Sequence, residues 1–214
     1  FTPQMMFAMG LVSTFITGGL TGIILGDSTL DINVHDTYFV VAHFHIVMGS
    51  SAIFGMFAGV YHWFPRMFGR MMNNKLGYVH FWTTFIAVYG VFFPMHFIGM
   101  GGVPRRYYSN EAFELFKNFG DVNVLITTFA IIGALAQISF LFNFFYSMYR
   151  GKVSEQNPWR SNTLEWTAPV EHLHGNWPGA IPEVHRWPYD YSKPGKAEDF
   201  VMQNVPLESG EEDH

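Results

Sequence analysis

The chain has 214 residues, of which 49% are hydrophobic, 18% aromatic and 14% charged, and its formal net charge is −5. This composition is typical of a membrane protein with a polar segment, and the acidic balance gives no indication of nucleic-acid binding. The sequence contains no cysteine, which excludes disulfides, thiolate metal sites and cysteine nucleophiles.

Four apolar runs are each long enough to cross a bilayer core of about 30 Å as a helix. They cover residues 4–26, 38–64, 76–100 and 122–149. The sequence therefore predicts an all-α polytopic membrane protein, with a four-helix transmembrane region over residues 1–150. The first run follows Phe1 almost at once, without the basic segment or cleavage site of a signal peptide. We therefore expect a piece of a longer polypeptide.

The ends of the runs differ in charge. Acidic residues lie in a polar loop over residues 27–36, and the second run ends at Pro65, a predicted helix stop. Basic residues follow the second and fourth runs: Arg66, Arg70, Lys75, Arg150 and Lys152. The positive-inside rule predicts that the basic ends, the N-terminus and the tail lie on the cytoplasmic side. The polar loop then lies on the outer side.

Two histidines lie inside the second predicted span. His43 and His45 are two positions apart, which places them about 200° apart on an α-helix. They leave opposite sides of the helix, so each needs its own partner. Neutral imidazole is a good axial ligand for haem iron, and polar groups inside a span are usually functional. The pair predicts a helix between two metal cofactors, although hydrogen bonding to neighbouring helices remains an alternative.

Two polar pairs lie outside the spans. His35 and Asp36 could supply ligands for a hard divalent cation, although two residues alone do not make a site. Arg105 and Arg106 suit carboxylate groups, because arginine binds them in a bidentate manner; a solvated pair is the alternative. His80 and His96 lie in the third run, where packing or hydrogen bonding accounts for them without a metal.

Residues 151–214 differ in character from the rest. Prolines interrupt any long helix there, and tryptophans supply docking groups. We expect an extended cytoplasmic-side tail that lies over partner subunits and ends in a solvated acidic segment over residues 208–213. His172 and His174 share the spacing of His43 and His45, but a proline-rich segment gives them no fixed geometry.

The segment HDTYFVVAHFHIVMG, residues 35–49, resembles subunit I of haem-copper oxidases of the cytochrome c oxidase type. Leu30-Asp31-Ile32 before it and GGVPRRY, residues 101–107, extend the resemblance, which covers the C-terminal part of that subunit, and the tail is similar to bacterial ones. The resemblance implies that His43 ligates the high-spin haem iron and His45 the low-spin haem iron. It also implies roles for outer residues: haem propionate contacts for Arg105, Arg106 and Asp31, and a Mg or Mn ion for His35 and Asp36.

The activity that the resemblance implies is that of a whole complex. Electrons from cytochrome c would reduce oxygen to water, coupled to proton pumping, in a bacterial inner (plasma) membrane. The cofactors implied are two A-type haems, Mg or Mn, and copper that is ligated outside this chain. The partners implied are the N-terminal part of subunit I, subunit II, subunit III, cytochrome c and membrane lipid.

Three alternatives remain open from the sequence. Quinol oxidases of the same family generally lack the Asp of the outer His-Asp pair, so Asp36 favours the cytochrome c enzyme. A transporter or a non-catalytic multi-span membrane subunit would use the histidines only for hydrogen bonds or proton relay. A dihaem electron carrier would bind haem without oxygen chemistry.

Overall fold

A computed structural model of the chain describes residues 1–109, 113–170, 175–190 and 200–207. The expectations for His172, His174 and the acidic segment over residues 208–213 lie outside these ranges. In the described ranges the backbone forms helices and isolated β-bridges, and no strand.

Four helical stretches are long and apolar enough to cross a membrane, which confirms the predicted architecture. The second stretch combines three consecutive elements. In chain order the elements are α1 (Pro3–Gly26), α2 (Ser28–Val34), α3 (Tyr38–Phe44), a π-helical segment (His45–Ser50), α4 (Ser51–Phe68), α5 (Asn74–Met100), a 3₁₀ helix (Glu114–Phe119), α6 (Gly120–Arg150) and a second 3₁₀ helix (Leu164–Thr167).

Two local predictions were wrong. The polar loop contains the short helix α2, which starts because the Asp27 carboxylate accepts hydrogen bonds from Thr29 N and Leu30 N. Pro65 does not end the second span, since α4 continues to Phe68. A proline removes one backbone donor, and long membrane helices tolerate that loss.

The chain divides into two compact units, of which the first contains residues 1–63 and 72–150. Its core is aromatic. Phe7 of α1 is fully buried, and its ring lies 4.9 to 5.6 Å from five rings of α4 and α5: Phe54, Phe57, Tyr61, His80 and Phe81. Many other large apolar side chains of the spans are exposed, as expected for surfaces that face lipid or further helices.

The second unit contains residues 64–71 and 151–214. It therefore includes the last residues of α4 and the segment after it as well as the predicted tail. Met71 N donates to the Lys152 carbonyl at 2.8 Å, and Ser154 N donates to the Gly69 carbonyl at 2.9 Å. Trp166 is fully buried in this unit.

Candidate functional site

The ring of His43 faces α1. Its Nδ1 atom lies 2.9 Å from the Gly18 carbonyl oxygen and 2.9 Å from the Thr21 hydroxyl oxygen. Thr21 donates its own hydroxyl hydrogen to the same carbonyl at 2.8 Å, so the Thr21 oxygen is left to accept. A Cβ at Gly22 would lie 3.0 Å from His43 Cε1. Helix α1 therefore holds the Nδ1 edge of the ring and packs closely against it.

His45 contacts its own helix and α5. Its Nδ1 atom lies 2.8 Å from the Val41 carbonyl oxygen. Its ring stacks on Phe92, with the centroids 5.0 Å apart and the planes at 14°. The neighbouring Phe44 ring lies 4.4 Å away, tilted by 32°. The two histidines thus have different neighbours, as their spacing predicts.

These hydrogen bonds determine which nitrogen of each ring can bind a metal. A carbonyl oxygen can only accept, so Nδ1 of His45 must carry the hydrogen. The same holds for His43, because both oxygens near its Nδ1 are free only as acceptors. In the described part of the chain, neither Nε2 atom has a hydrogen-bond partner. An Nδ1–H fixed on a carbonyl with Nε2 open is the usual state of a metal-bound histidine. Both residues therefore fit haem ligation.

The helix changes its winding at His45. The π-helical segment contains hydrogen bonds from residue i+5 to residue i, and Ser51 N donates to the Ile46 carbonyl. The Ser51 hydroxyl donates to the same carbonyl at 3.1 Å and lies 3.0 Å from the Thr14 hydroxyl of α1. Side chains therefore stabilise a turn that is rare in proteins and frequent at functional sites.

Gly18 allows α1 to approach this segment. A Cβ at position 18 would lie 2.9 Å from Val47 N and would overlap the Val47 side chain. Gly18 is therefore used twice, since its carbonyl holds His43 and its missing side chain makes room for Val47.

A cavity of about 460 Å³ lies on the His45 side. Its lining is mostly apolar, with the hydroxyls of Ser50 and Thr84 and the amide of Gln137 as the polar exceptions apart from His45 itself. Residues of α4, α5 and α6 form the walls, among them Phe54, Phe57, Val88, Val91, Phe129 and Ala134. This volume and lining are typical of small-molecule sites.

The other two buried histidines of the spans differ from this pair. His80 uses both ring nitrogens, with Nδ1 3.2 Å from the Tyr61 hydroxyl and Nε2 3.2 Å from Gln137 Oε1. His96 has no hydrogen-bond partner on either nitrogen among the described residues, and both atoms are sealed from solvent. Among the described residues, neither histidine offers an accessible lone pair, and the expectation that neither binds a metal stays a prediction.

The predicted outer residues meet at one loop. Arg105 Nε donates to Asp36 Oδ1 at 2.7 Å, and its guanidinium also forms an ion pair with that carboxylate. Arg105 N donates to the Asp36 carbonyl at 2.9 Å, and a β-bridge joins Thr37 to Pro104. His35 Nδ1 lies 3.2 Å from Asp31 Oδ2.

Neighbouring residues of this loop favour the charged form of the Asp36 carboxyl group. The hydrogen bond from Arg105 is the largest cause that holds the pKa of Asp36 below its ordinary value of 3.8. Partial desolvation opposes this effect, and the charges of Arg105, His35 and Arg106 reinforce it. Asp36 is therefore an anion at neutral pH.

The donor set for a divalent ion is incomplete in the described part of the chain. In the ranges that the structure describes, no three metal-ligating side chains form an arrangement that could hold a metal ion. His35 and Asp36 supply at most two ligands, and Arg105 already occupies the Asp36 carboxylate. A hard cation takes about six or more ligands. Most of them would come from water or from outside the chain.

Sequence reasoning missed several residues of the site. Gly18, Thr21 and Phe92 contact the two histidines, but carbonyl acceptors and ring contacts leave no pattern in the sequence. The partner of Arg105 was also missed, because Asp36 lies 69 residues away in the chain. The patch Gly18-Gly19-Leu20-Thr21-Gly22 indicates that another helix approaches α1 closely, since small residues permit such packing, but it does not identify the partner.

Comparisons with a family model and with known proteins both match this chain to subunit I of terminal oxidases. The model of the family described as cytochrome c and quinol oxidase polypeptide I matches residues 1–132. The chain is 47% identical to the alternative cytochrome c oxidase subunit 1 of Bradyrhizobium diazoefficiens, over 98% of this chain and 36% of that protein. It is 45% identical to cytochrome c oxidase subunit 1 of Thermostichus vulcanus, over 87% of this chain and 33% of that protein. The chain thus spans about a third of the length of these relatives.

Proposed function

The chain belongs to the cytochrome c and quinol oxidase polypeptide I family, and on that premise we propose that it is part of the catalytic subunit of a cytochrome c oxidase. His43 ligates the high-spin haem iron, where oxygen is reduced, and His45 ligates the low-spin haem iron. The observation that carries this proposal is the pair of open Nε2 atoms, on a His43 ring that contacts α1 and a His45 ring that contacts α5.

Each histidine is prepared for ligation by this chain alone. Bound haem iron and copper supply the redox chemistry that converts oxygen to water. The Gly18 carbonyl and the Thr21 oxygen keep the proton of His43 on Nδ1, and the Val41 carbonyl does so for His45. These hydrogen bonds select the tautomer of each ring and raise the basicity of its Nε2.

The loop residues are proposed to act on the charges around the haems. Arg105 and Arg106 contact haem propionates, with Asp31 close by, and His35 and Asp36 contribute to a Mg or Mn site. The Asp36 carboxylate supports this proposal by orienting the Arg105 guanidinium. Since the donor set for the ion is incomplete here, we propose that a partner chain and water complete it.

The remaining parts of the oxidase are proposed to lie outside this chain. They are the copper ligands, the second axial ligand of the low-spin haem, and subunits II and III. Coupled proton translocation and electron supply by cytochrome c belong to that assembly. The basic residues Arg66, Arg70, Lys75, Arg150 and Lys152 support a cytoplasmic position for the N-terminus and the tail. The proposed location is the bacterial plasma membrane, and the proposed haems are of A-type.

Reduced-minus-oxidised spectra of the detergent-solubilised complex, recorded with and without CO, test the proposal. Two haem signals are expected, and only one should shift with CO, because CO needs a free coordination position that only the proposed high-spin haem would offer. A complex without haem would overturn the proposal in favour of a transporter or a non-catalytic membrane subunit. Two haem signals that are both unchanged by CO would indicate a dihaem electron carrier.

Quinol oxidase is the second candidate, because the matching family includes both enzymes. The His35-Asp36 pair favours the cytochrome c enzyme. Oxygen consumption by the purified complex should be fast with reduced cytochrome c and slow with a soluble quinol. The reverse ranking would favour the quinol enzyme while leaving the haem assignments in place.

A further inference from the structure

The two proposed haem ligands are held in different ways. Two oxygen atoms of α1 surround Nδ1 of His43, and in the described ranges no aromatic ring stacks on it. His45 has a single hydrogen bond, to the Val41 carbonyl of its own helix. That bond selects the tautomer, but the torsion that turns an aromatic ring about its Cβ–Cγ bond has a broad minimum. A second contact is needed to fix the ring plane.

Two rings contact the imidazole: the adjacent Phe44 is tilted by 32°, whereas a stacked contact comes from Phe92 of a different helix. Its ring lies nearly parallel to the imidazole, at 14°, with 5.0 Å between the centroids. This distance lies in the range of offset-stacked aromatic pairs. His45 and Phe92 both line the cavity of about 460 Å³. The imidazole therefore borders open space as well as the phenyl ring.

We infer that Phe92 is a positioning residue that sets the plane of the His45 imidazole, and with it the orientation of that ligand about the iron–nitrogen axis. The inference rests on the proposed function, because it concerns the low-spin haem that His45 is proposed to ligate. In a ferric low-spin haem, the plane of an axial imidazole splits the iron d orbitals and thereby sets the g values of the electron paramagnetic resonance (EPR) spectrum. A loosened ring gives shifted and broadened g values without loss of ligation.

The test uses the assembled, oxidised oxidase complex and records the EPR spectrum of its low-spin haem. Phe92→Met and Phe92→Leu remove the ring and retain an apolar side chain of similar size. Two ring-less variants are used so that the test does not depend on the assembly of either one. Both are expected to shift and broaden the highest g value, while optical spectra still show two haems. Phe92→Tyr keeps the ring and should retain the parent g values.

Two control variants separate stacking from general disturbance. Phe93→Met changes the adjacent residue, whose ring packs on Phe97 and His96. Val88→Ala enlarges the same cavity and leaves the Phe92 ring itself in place. Both should leave the g values unchanged.

The outcomes distinguish this inference from the proposed function. Unchanged g values in an assembled ring-less variant would overturn the role of Phe92. So would a shift in Val88→Ala as large as that in the ring-less variants. Retention of the low-spin signal in His45→Ala would instead overturn the ligand assignment itself.

Discussion

The surroundings of His43 and His45 differ more than their separation of two residues suggests. His43 is held by a neighbouring helix in dense packing, where Gly18 and Gly22 leave no room for a side chain. His45 is held by its own helix and by one ring of α5, beside a cavity of about 460 Å³. One helix thus presents two imidazoles in the same tautomer by two different means.

The difference indicates where each ligand is vulnerable. Changes in α1 around Thr21 should disturb His43 more than His45, because only the His43 ring has hydrogen bonds to α1. Changes in α5 around Phe92 should disturb His45 more than His43, because the His45 ring stacks on Phe92. Selective effects on the two proposed haems therefore measure how independent the two surroundings are.

The largest effect is expected from removing the ligands themselves. His43→Ala should abolish the CO-reactive haem signal and leave much of the low-spin signal, whereas His45→Ala should do the reverse. The reason is that the two rings lie on different sides of the helix, and each open Nε2 is proposed to ligate a different haem. Optical spectra of the assembled complex, with and without CO, give the measurement, and each variant is the control for the other. Two unaltered spectra would show that neither residue is a ligand.

Gly18→Ala should have the next largest effect. The added Cβ would crowd Val47 N at 2.9 Å and the Val47 side chain, and overpacking of this kind costs about 1–3 kcal/mol. We expect lower thermal stability of the complex in detergent and a lower ratio of CO-reactive to low-spin haem.

Gly19→Ala is the matched control, since no atom lies within 4 Å of a Cβ at position 19. Alanine is also the better helix former, so this variant should be as stable as the parent or slightly more so. Equal behaviour of the two variants would refute close packing at Gly18.

Thr21→Val should have a smaller effect. The substitution removes the oxygen 2.9 Å from His43 Nδ1 but leaves the Gly18 carbonyl in place. Loss of one such hydrogen bond costs about 1 kcal/mol. A modest shift in the spectrum of the CO-reactive haem is expected, without change in the low-spin haem. Thr127→Val, which removes a hydroxyl that bonds only to its own helix, should change neither.

The smallest effect concerns Asp36, which lies outside both histidine surroundings. Because Arg105 lowers its pKa in the folded state, the carboxylate contributes stability that is fully present above its ordinary pKa of 3.8. That contribution is lost as the pH falls through the lowered folded value. The stability difference between the parent and Asp36→Asn should therefore be constant at neutral pH and shrink only in acid. The check is to measure the thermal stability of the parent and of Asp36→Asn as a function of pH. A stability difference that instead shrinks as the pH rises above neutrality would argue against the Asp36–Arg105 ion pair.

The sequence predicted the spans because apolar length is a strong signal, and it predicted that His43 and His45 leave different sides of their helix. It placed a helix stop at Pro65, since proline rules from soluble proteins do not carry over to long membrane helices. It missed α2, although Asp27 is a good N-cap residue, because the polar residues of that segment obscured the helical pattern. The partners of His43 could not be predicted, because a backbone carbonyl such as that of Gly18 has no signature in the sequence. The contact between Asp36 and Arg105 depends on tertiary structure alone.

The π-helical segment means that the second span is not one continuous helical register. A π turn accommodates one residue more than an α turn, so the faces of α3 and α4 are offset by about 100°, the rotation of a single α-helical residue. Deleting one residue between positions 46 and 50 would restore α winding and rotate Phe54 and Phe57 away from Phe7 while leaving His43 and His45 in place. An alignment based on helical periodicity therefore needs a one-residue gap in this segment. The helix faces of α3 and α4 are then subject to separate packing constraints, so substitutions in one need not be matched in the other.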